Sequence, residues 1–266
     1  MNPNFNLKQN QQENFKTHIM NQYQIFYDLH HQAQPLLLAN AWNVKSAQII
    51  EKAGFSAIAT SSGAIANSLG YSDGEHIPFG ELLYIIKRIK ANINIPLTVD
   101  LERGYTNDLD VLNSHIQQII DLGVVGINLE DNQGEDIFLN KLQSITKYLI
   151  QTNQQLFINA RTDVFAQKLD NPLETAINRA KLYKDAGADG LFVIGLQDVE
   201  TVEKIVHAVQ LPLNVVGVSN ISSIEALTAI GVKRISMAGL LYSVGYQNIN
   251  SLVHAIKKEN SFSTLY

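Results

Sequence analysis

Cysteine is absent from all 266 residues. That excludes disulfides, thiolate metal ligands and a cysteine acid or nucleophile. No uninterrupted apolar stretch approaches membrane-spanning length. The opening segment, Met1 through Glu13, is polar and rich in Asn and Gln rather than a signal sequence, so the protein is expected to be soluble and cytoplasmic. Basic charge is in short supply. Twenty Lys and Arg against 25 Asp and Glu give a formal net charge of -5, which argues against a nucleic-acid surface. Neither a Gly-x-Gly-x-x-Gly after the first apolar run nor a Walker-type lysine loop occurs, so dinucleotide and nucleoside-triphosphate folds lose their main supports. The seven histidines form no metal cluster. His30-His31, His115 and His207 fall in helical segments, and His76, in a loop after Asp73-Gly74-Glu75, reads as non-catalytic.

What is present is a repeated alternation. Short apolar runs end in oxygen-bearing or cationic residues: Ala57–Thr60 into Ser61-Ser62-Gly63, Leu97–Val99 into Asp100-Leu101-Glu102, Gly126–Leu129 into Glu130-Asp131, and Phe157–Ala160 into Arg161-Thr162-Asp163. With Leu36–Ala39, Leu191–Ile194, Leu213–Val216 and Arg234–Met237, eight strands are predicted. Amphipathic stretches at Val44–Ala53, Phe79–Ala91, Leu109–Leu122, Leu139–Thr152, Leu173–Ala186, Val199–Val209 and Ile224–Ile230 read as the helices between them, followed by a terminal helix. Near-continuously apolar strands alternating with helices predict a single (β/α)8 barrel over residues 15–266, opened by a lead-in helix at Phe15–His30. Residues 1–14 are expected to be disordered.

In such a barrel the C-terminal strand ends share one rim, so polar residues far apart in sequence meet there. Asp100 and Glu102 alternate and would project to one side if the strand runs on, and Glu130 ends the next strand. Carboxylates gathered in one small space repel unless protonated or holding a cation. An all-oxygen set favours a hard ion, Mg2+ first and Mn2+ as the alternative, over zinc; exposed acids making caps and turns are the competing reading. Arg161 has the planar fork to grip a substrate carboxylate, or it pairs internally with Asp163 or Glu130. Ser62-Gly63 offers backbone N–H groups to an anionic oxygen, or is an ordinary turn.

The stretches Pro35–Trp42, Ala59–Gly63, Ser68–Gly74, Val99–Glu102, Asn128–Asp131, Asn159–Asp163 and Ala186–Gly190 together resemble the isocitrate lyase and phosphoenolpyruvate mutase superfamily, over nearly the whole chain from about Gln22. The resemblance implies a Mg2+-dependent barrel that acts on small 2-oxo or 2-hydroxy carboxylates through an enolate-like intermediate. Asp73, Asp100, Glu102 and Glu130 match the metal-site acids, some reaching the ion through water. Arg161 matches the substrate arginine, Ser62 and Gly63 the turn that binds substrate oxygens, and Trp42 a pocket-lining position; Arg161 and Glu102 carry the catalytic expectation. The last helix of relatives tends to swap between barrels, which implies a homodimer or homotetramer.

The sequence departs from those relatives after Glu130. Where lyases carry a mobile loop with Lys and a catalytic Cys, and the mutase a Lys and Asn, this chain reads Asp131-Asn-Gln-Gly-Glu-Asp136. The expected activity is carbon–carbon cleavage, with phosphonomutase-type P–C chemistry or a catalytically silent carboxylate binder as alternatives. Arg103 is read as solvent-facing, or as a grip on a second substrate carboxylate.

Overall fold

The apolar runs become eight parallel strands: β1 (Leu36–Ala41), β2 (Ile58–Thr60), β3 (Leu97–Asp100), β4 (Gly126–Glu130), β5 (Phe157–Thr162), β6 (Gly190–Val193), β7 (Leu213–Val216) and β8 (Arg234–Ser236). Each pairs with its neighbour in sequence, and β8 closes onto β1 with Leu36 beside Arg234 and Leu38 beside Ser236. The computed structural model describes residues 21–221 and 223–266. The expected disorder of 1–14 and the start of the lead-in helix lie outside them; the described part of that helix is 21–29.

Among the described residues the outer layer is α1 (Val44–Lys52), α2 (Ser62–Ser68), α3 (Phe79–Lys90), α4 (Leu109–Asp121), α5 (Glu135–Thr152), α6 (Pro172–Asp185), α7 (Val199–Ala208), α8 (Ile224–Ala229) and α9 (Leu240–Glu259). Local chemistry sets their limits. Asn43 and Ser46 form a capping box at the start of α1. Asp108 accepts from the N–H groups of Asp110 and Val111 at the start of α4, whose Leu112, Ile116, Ile119 and Ile120 are buried on one face. No described helix is long and apolar enough to cross a membrane.

Side-chain alternation along the strands sorts two cores. Ile127 and Leu129 of β4 and Ile158 and Ala160 of β5 join the large cluster under the helices. The intervening residues face the barrel axis, and their character changes with height. At the N-terminal end, Phe26 from the lead-in helix packs with Leu36, Leu38, Ala57, Ala59, Val125 and Phe157 in a separate buried cluster. Gly126 is required there, since a Cβ on it would stand 2.9 Å from the Phe26 ring. One step up are Asn128, Asn159, Asn214 and Arg234, all buried. At the C-terminal mouth stand Asp100, Glu130 and Arg161.

Three predicted boundaries are corrected. Residues 62–68, of which the sequence reading assigns only Ser62-Gly63, as a turn, form α2; the segment Ser-Gly-Ala-Ile-Ala-Asn-Ser has too little amphipathic contrast to announce a helix, but Ser61 caps it by accepting from Ala64 N–H. Helix α5 starts at Glu135 rather than Leu139, so the segment after β4 is a four-residue turn closed by Gly134 N–H on Asp131 C=O at 2.8 Å, not an extended loop. Strand β3 ends at Asp100, and Glu102 sits in the left-handed region at φ 49 instead of continuing the strand.

Candidate active site

A cavity of about 670 Å3 opens at the C-terminal mouth, lined among others by Asn40, Ser61, Ser62, Gly63, Asp73, Asp100, Glu102, Asn128, Glu130, Asn132, Arg161 and Tyr242. The structure thus brings together seven of the eight predicted site residues. Trp42 is the exception: it stands behind the wall, edge-on to Tyr242 at 5.4 Å.

Asp100 ends β3, where its N–H donates to Thr60 Oγ1 at 3.0 Å and its Oδ2 accepts from Ser62 Oγ at 2.8 Å. Glu102 reaches the same space by another route. Leu101 N–H donates to Asn128 C=O at 3.0 Å and Glu130 N–H to Glu102 C=O at 2.8 Å, so β4 fixes the backbone on both sides of the acid. The positive φ values at Glu102 and Tyr105 (62°) make the turn strained, while Gly104 (96°) takes its own at no steric cost. Glu75 clamps it, accepting from Arg103 N–H at 2.8 Å, Tyr105 N–H at 2.7 Å and Arg103 Nε at 3.1 Å. Arg103 therefore neither points freely into solvent nor lines the cavity; it ties the Asp73–Glu75 loop to the Glu102 turn. Tyr105 Oη donates to Glu102 Oε1 at 2.8 Å.

Glu130 is paired with Arg161 at 2.9 Å and accepts from Asn132 Nδ2 at 2.5 Å. Arg161 also grips Asp163 through Nε at 2.7 Å and NH2 at 2.9 Å, so the internal ion pair is real and coexists with its place in the cavity. Asp163 is set in turn by its own N–H donating to Asp131 Oδ1 at 3.0 Å, while Arg179 and Tyr183 each donate to Asp131 Oδ2 at 2.6 Å. Asp131, almost fully buried, is thus the root of a network that orients Arg161.

Electrostatically the cavity is short of positive charge. Burial pushes Asp100 up, with Arg161 pulling the other way. Glu102 is raised to about 7 by burial and then by the charge of Asp100. Glu130 is raised to about 8, again by burial first, against the pull of Arg161. Burial disfavours the charge on Arg161, but its bonds to Asp163 and the charge of Glu130 outweigh that and raise it. Three acids whose charged form burial disfavours fit a divalent cation, which would offset that charge, and the oxygen-only donors fit a hard one. Asp73 has a cradle of its own: a Cβ on Gly63 would meet its carboxylate at 2.7 Å. Among the described residues no three acids or histidines are gathered closely enough to ligate an ion directly, so few direct carboxylates with water completing the shell is the arrangement these residues fit, as Mg2+ favours.

The amides escaped the sequence reading. Asn40 donates to Thr60 C=O at 2.9 Å and accepts from Met237 N–H at 3.0 Å, and Asn128 lies on the cavity floor. Their signal was a polar residue interrupting an apolar run, repeated at Asn159 and Asn214.

The family model described as phosphoenolpyruvate phosphomutase matches residues 26–257. An uncharacterized protein of Mycobacterium tuberculosis is 34% identical over 221 residues, 83% of this chain and 84% of that protein. A 2-methylisocitrate lyase of Halalkalibacterium halodurans is 29% identical, with 80% and 70% covered. Among solved structures, a Burkholderia cenocepacia protein provisionally described as a phosphonomutase superposes with a TM-score of 0.84 at 33% identity, covering 88% of this chain and 99% of that one. A phosphonopyruvate hydrolase in complex with oxalate and Mg2+ shares the fold, with a TM-score of 0.82 at 17% identity, covering 91% and 89%.

Proposed function

The chain belongs to the phosphoenolpyruvate phosphomutase family, and from that premise we propose that it cleaves a carbon–carbon bond of a small 2-oxo or 2-hydroxy carboxylate through an enolate-like intermediate, with Mg2+ as cofactor and Mn2+ as substitute. The observation that carries the proposal is the meeting of Asp100, Glu102 and Glu130 with Arg161 around one cavity, the three acids raised toward neutrality by burial.

Asp73, Asp100, Glu102 and Glu130 would hold the ion, partly through water, and bound Mg2+ would supply a Lewis acid for negative charge developing on a substrate oxygen. Arg161 has five N–H donors and spends three on Glu130 and Asp163; the remainder are available to a substrate carboxylate. Ser62 and Gly63 open α2, where first-turn N–H groups lack intrahelical acceptors and favour an anionic oxygen. Fixed donors aimed at developing charge act without reorganisation in the reaction. Glu102, held by the hydrogen bond from Tyr105 Oη, would act with Arg161 through the ion it helps to hold. Trp42 acts at one remove by supporting Tyr242.

Phosphonomutase-type P–C cleavage is the second reading, favoured by the 33% identical Burkholderia neighbour. The test is a Mg2+-supplemented panel of oxaloacetate, methylisocitrate, citramalate-type acids and phosphonopyruvate. Turnover of a C–C substrate that disappears in Glu102→Ala is expected. Turnover of phosphonopyruvate alone moves the assignment to P–C chemistry, and calorimetric binding without turnover of any compound moves it to a carboxylate binder.

The assembly proposed is a homodimer or homotetramer. Helix α9 buries none of its twenty residues, while Leu241, Val244, Ile249 and Val253 are exposed along it; a second copy of the chain accounts for that apolar face.

A further inference from the structure

Arg234 is fully buried on the inner face of β8. Its NH2 donates to Asn128 Oδ1 at 3.0 Å, and neither Nε nor NH1 has a hydrogen-bond partner. Below it lies the Phe26 ring at 6.0 Å, and no carboxylate among the described residues forms an ion pair with it. A guanidinium without a counter-ion is among the costliest groups to bury, so its single polar contact is informative.

That contact fixes the orientation of Asn128. An arginine can only donate, so the amide oxygen of Asn128 must face Arg234 and its nitrogen must face away. Asn159 Nδ2 donates to the same oxygen at 2.9 Å, which uses both lone pairs. Asn128 Nδ2 pairs with no acceptor among the described residues, and Asn128 lines the cavity. In the barrel register it stands beside Asp100 and beside Asn159, two residues before Glu130 on the same strand face. A neutral donor therefore projects from the floor between two acids, underlain by a buried positive charge.

We propose that Asn128 is a substrate-contacting residue, donating from Nδ2 to an anionic oxygen of the bound carboxylate, and that Arg234 is the positioning residue that holds the amide in that orientation. This rests on the reading of the cavity as a carboxylate site. Two opposed acids would exclude an anion from the floor; a donor there lets a carboxylate or enolate oxygen settle, with Arg234 stabilising the added charge from beneath. The side chain at this height thereby helps select anionic substrate.

The test uses the full chain with Mg2+ and oxalate as the probe, read by calorimetry, with Mg2+ binding measured separately without oxalate. Asn128→Ala is expected to weaken oxalate about 10- to 100-fold, the range for a hydrogen bond to a charged group, and to leave Mg2+ affinity within about twofold. Asn128→Asp, which places a third acid on the floor, is expected to weaken oxalate further. Arg234→Met is expected to weaken oxalate in the native background and to have little additional effect in the Asn128→Ala background, a coupling that general destabilisation would not produce. Arg234→Lys, which retains a donor to Asn128 Oδ1, should recover part of the loss. If Arg234→Met does not fold, the Asn128 variants and Arg234→Lys decide. Native protein that binds oxalate, with Asn128→Ala binding it as tightly, overturns the proposal alone. Native protein that binds no oxalate with Mg2+ present overturns the reading of the site and this inference with it.

Discussion

The two ends of the barrel interior are built from the same strands and behave as different materials. Along β5 the inward residues are Phe157, Asn159 and Arg161; along β4 they are Gly126, Asn128 and Glu130. At the lower end His30 stacks on Phe157 at 4.1 Å and bonds Phe26 C=O through Nδ1. Burial, and then the charge of Arg234, lower its pKa to about 3, so it stays neutral. At the upper end burial acts on acids instead, and its effect is to create demand for a cation. Height along the strand, rather than the identity of the strand, decides whether a position serves packing or chemistry.

The strongest way to break that comparison is at its foot. Phe157→Ala should cost about 3–5 kcal/mol, the usual loss for a buried phenylalanine, while turnover per folded molecule stays near native; denaturant melts paired with active-site titration would measure both. A matching loss of turnover per folded molecule would mean that the two ends are not separable.

At the mouth the expected order reverses. Arg161→Lys keeps the charge but loses the fork that grips Asp163, and should lower kcat/KM by about 10²–10³-fold, as for removal of a fixed transition-state donor, with a smaller stability loss. Steady-state kinetics beside thermal melts would show which dominates.

The acids sharpen the contrast through pH. Glu130 and Glu102 titrate near 8 and 7 in the fold against an ordinary glutamate value of about 4.3 in the unfolded chain. Between those limits the native state holds more protons than the unfolded one, so the stability of metal-free protein should fall as pH rises from about 4.5 to 8, by on the order of a few kcal/mol. Saturating Mg2+ should flatten the slope. Urea midpoints across that range, with and without Mg2+, check the sign; a metal-free slope that rises would mean the acids are compensated from within the protein.

The smallest effect is expected at Gly63. Its Cβ would occupy the space of the Asp73 carboxylate, so Gly63→Ala should push Asp73 outward, weaken Mg2+ about tenfold and cost about 1 kcal/mol of stability. Calorimetry with Mg2+ alone decides it.

Much of this was legible before the fold was known, for a physical reason. Strands covered by helices must be apolar, so eight runs stood out, and charged residues at their ends had nowhere to go but a shared rim. The same logic hid the amides: Asn40 and Asn128 sit inside runs, where one polar residue does not break the pattern. Arg103 was misread because its partner, Glu75, lies 28 residues away in a loop whose path no periodicity reveals. Trp42 fell one layer outside the cavity, its place at the wall taken by Tyr242 from α9. The short α2 was hidden by small residues that bury little and alternate weakly.

Helix α9 lends Tyr242 and Ser243 to the cavity while burying none of its own residues. A wall so loosely anchored takes its shape from whatever rests on its outer side, and if that support is another copy of the chain, specific activity becomes a function of protein concentration, falling on dilution and returning when the sample is reconcentrated.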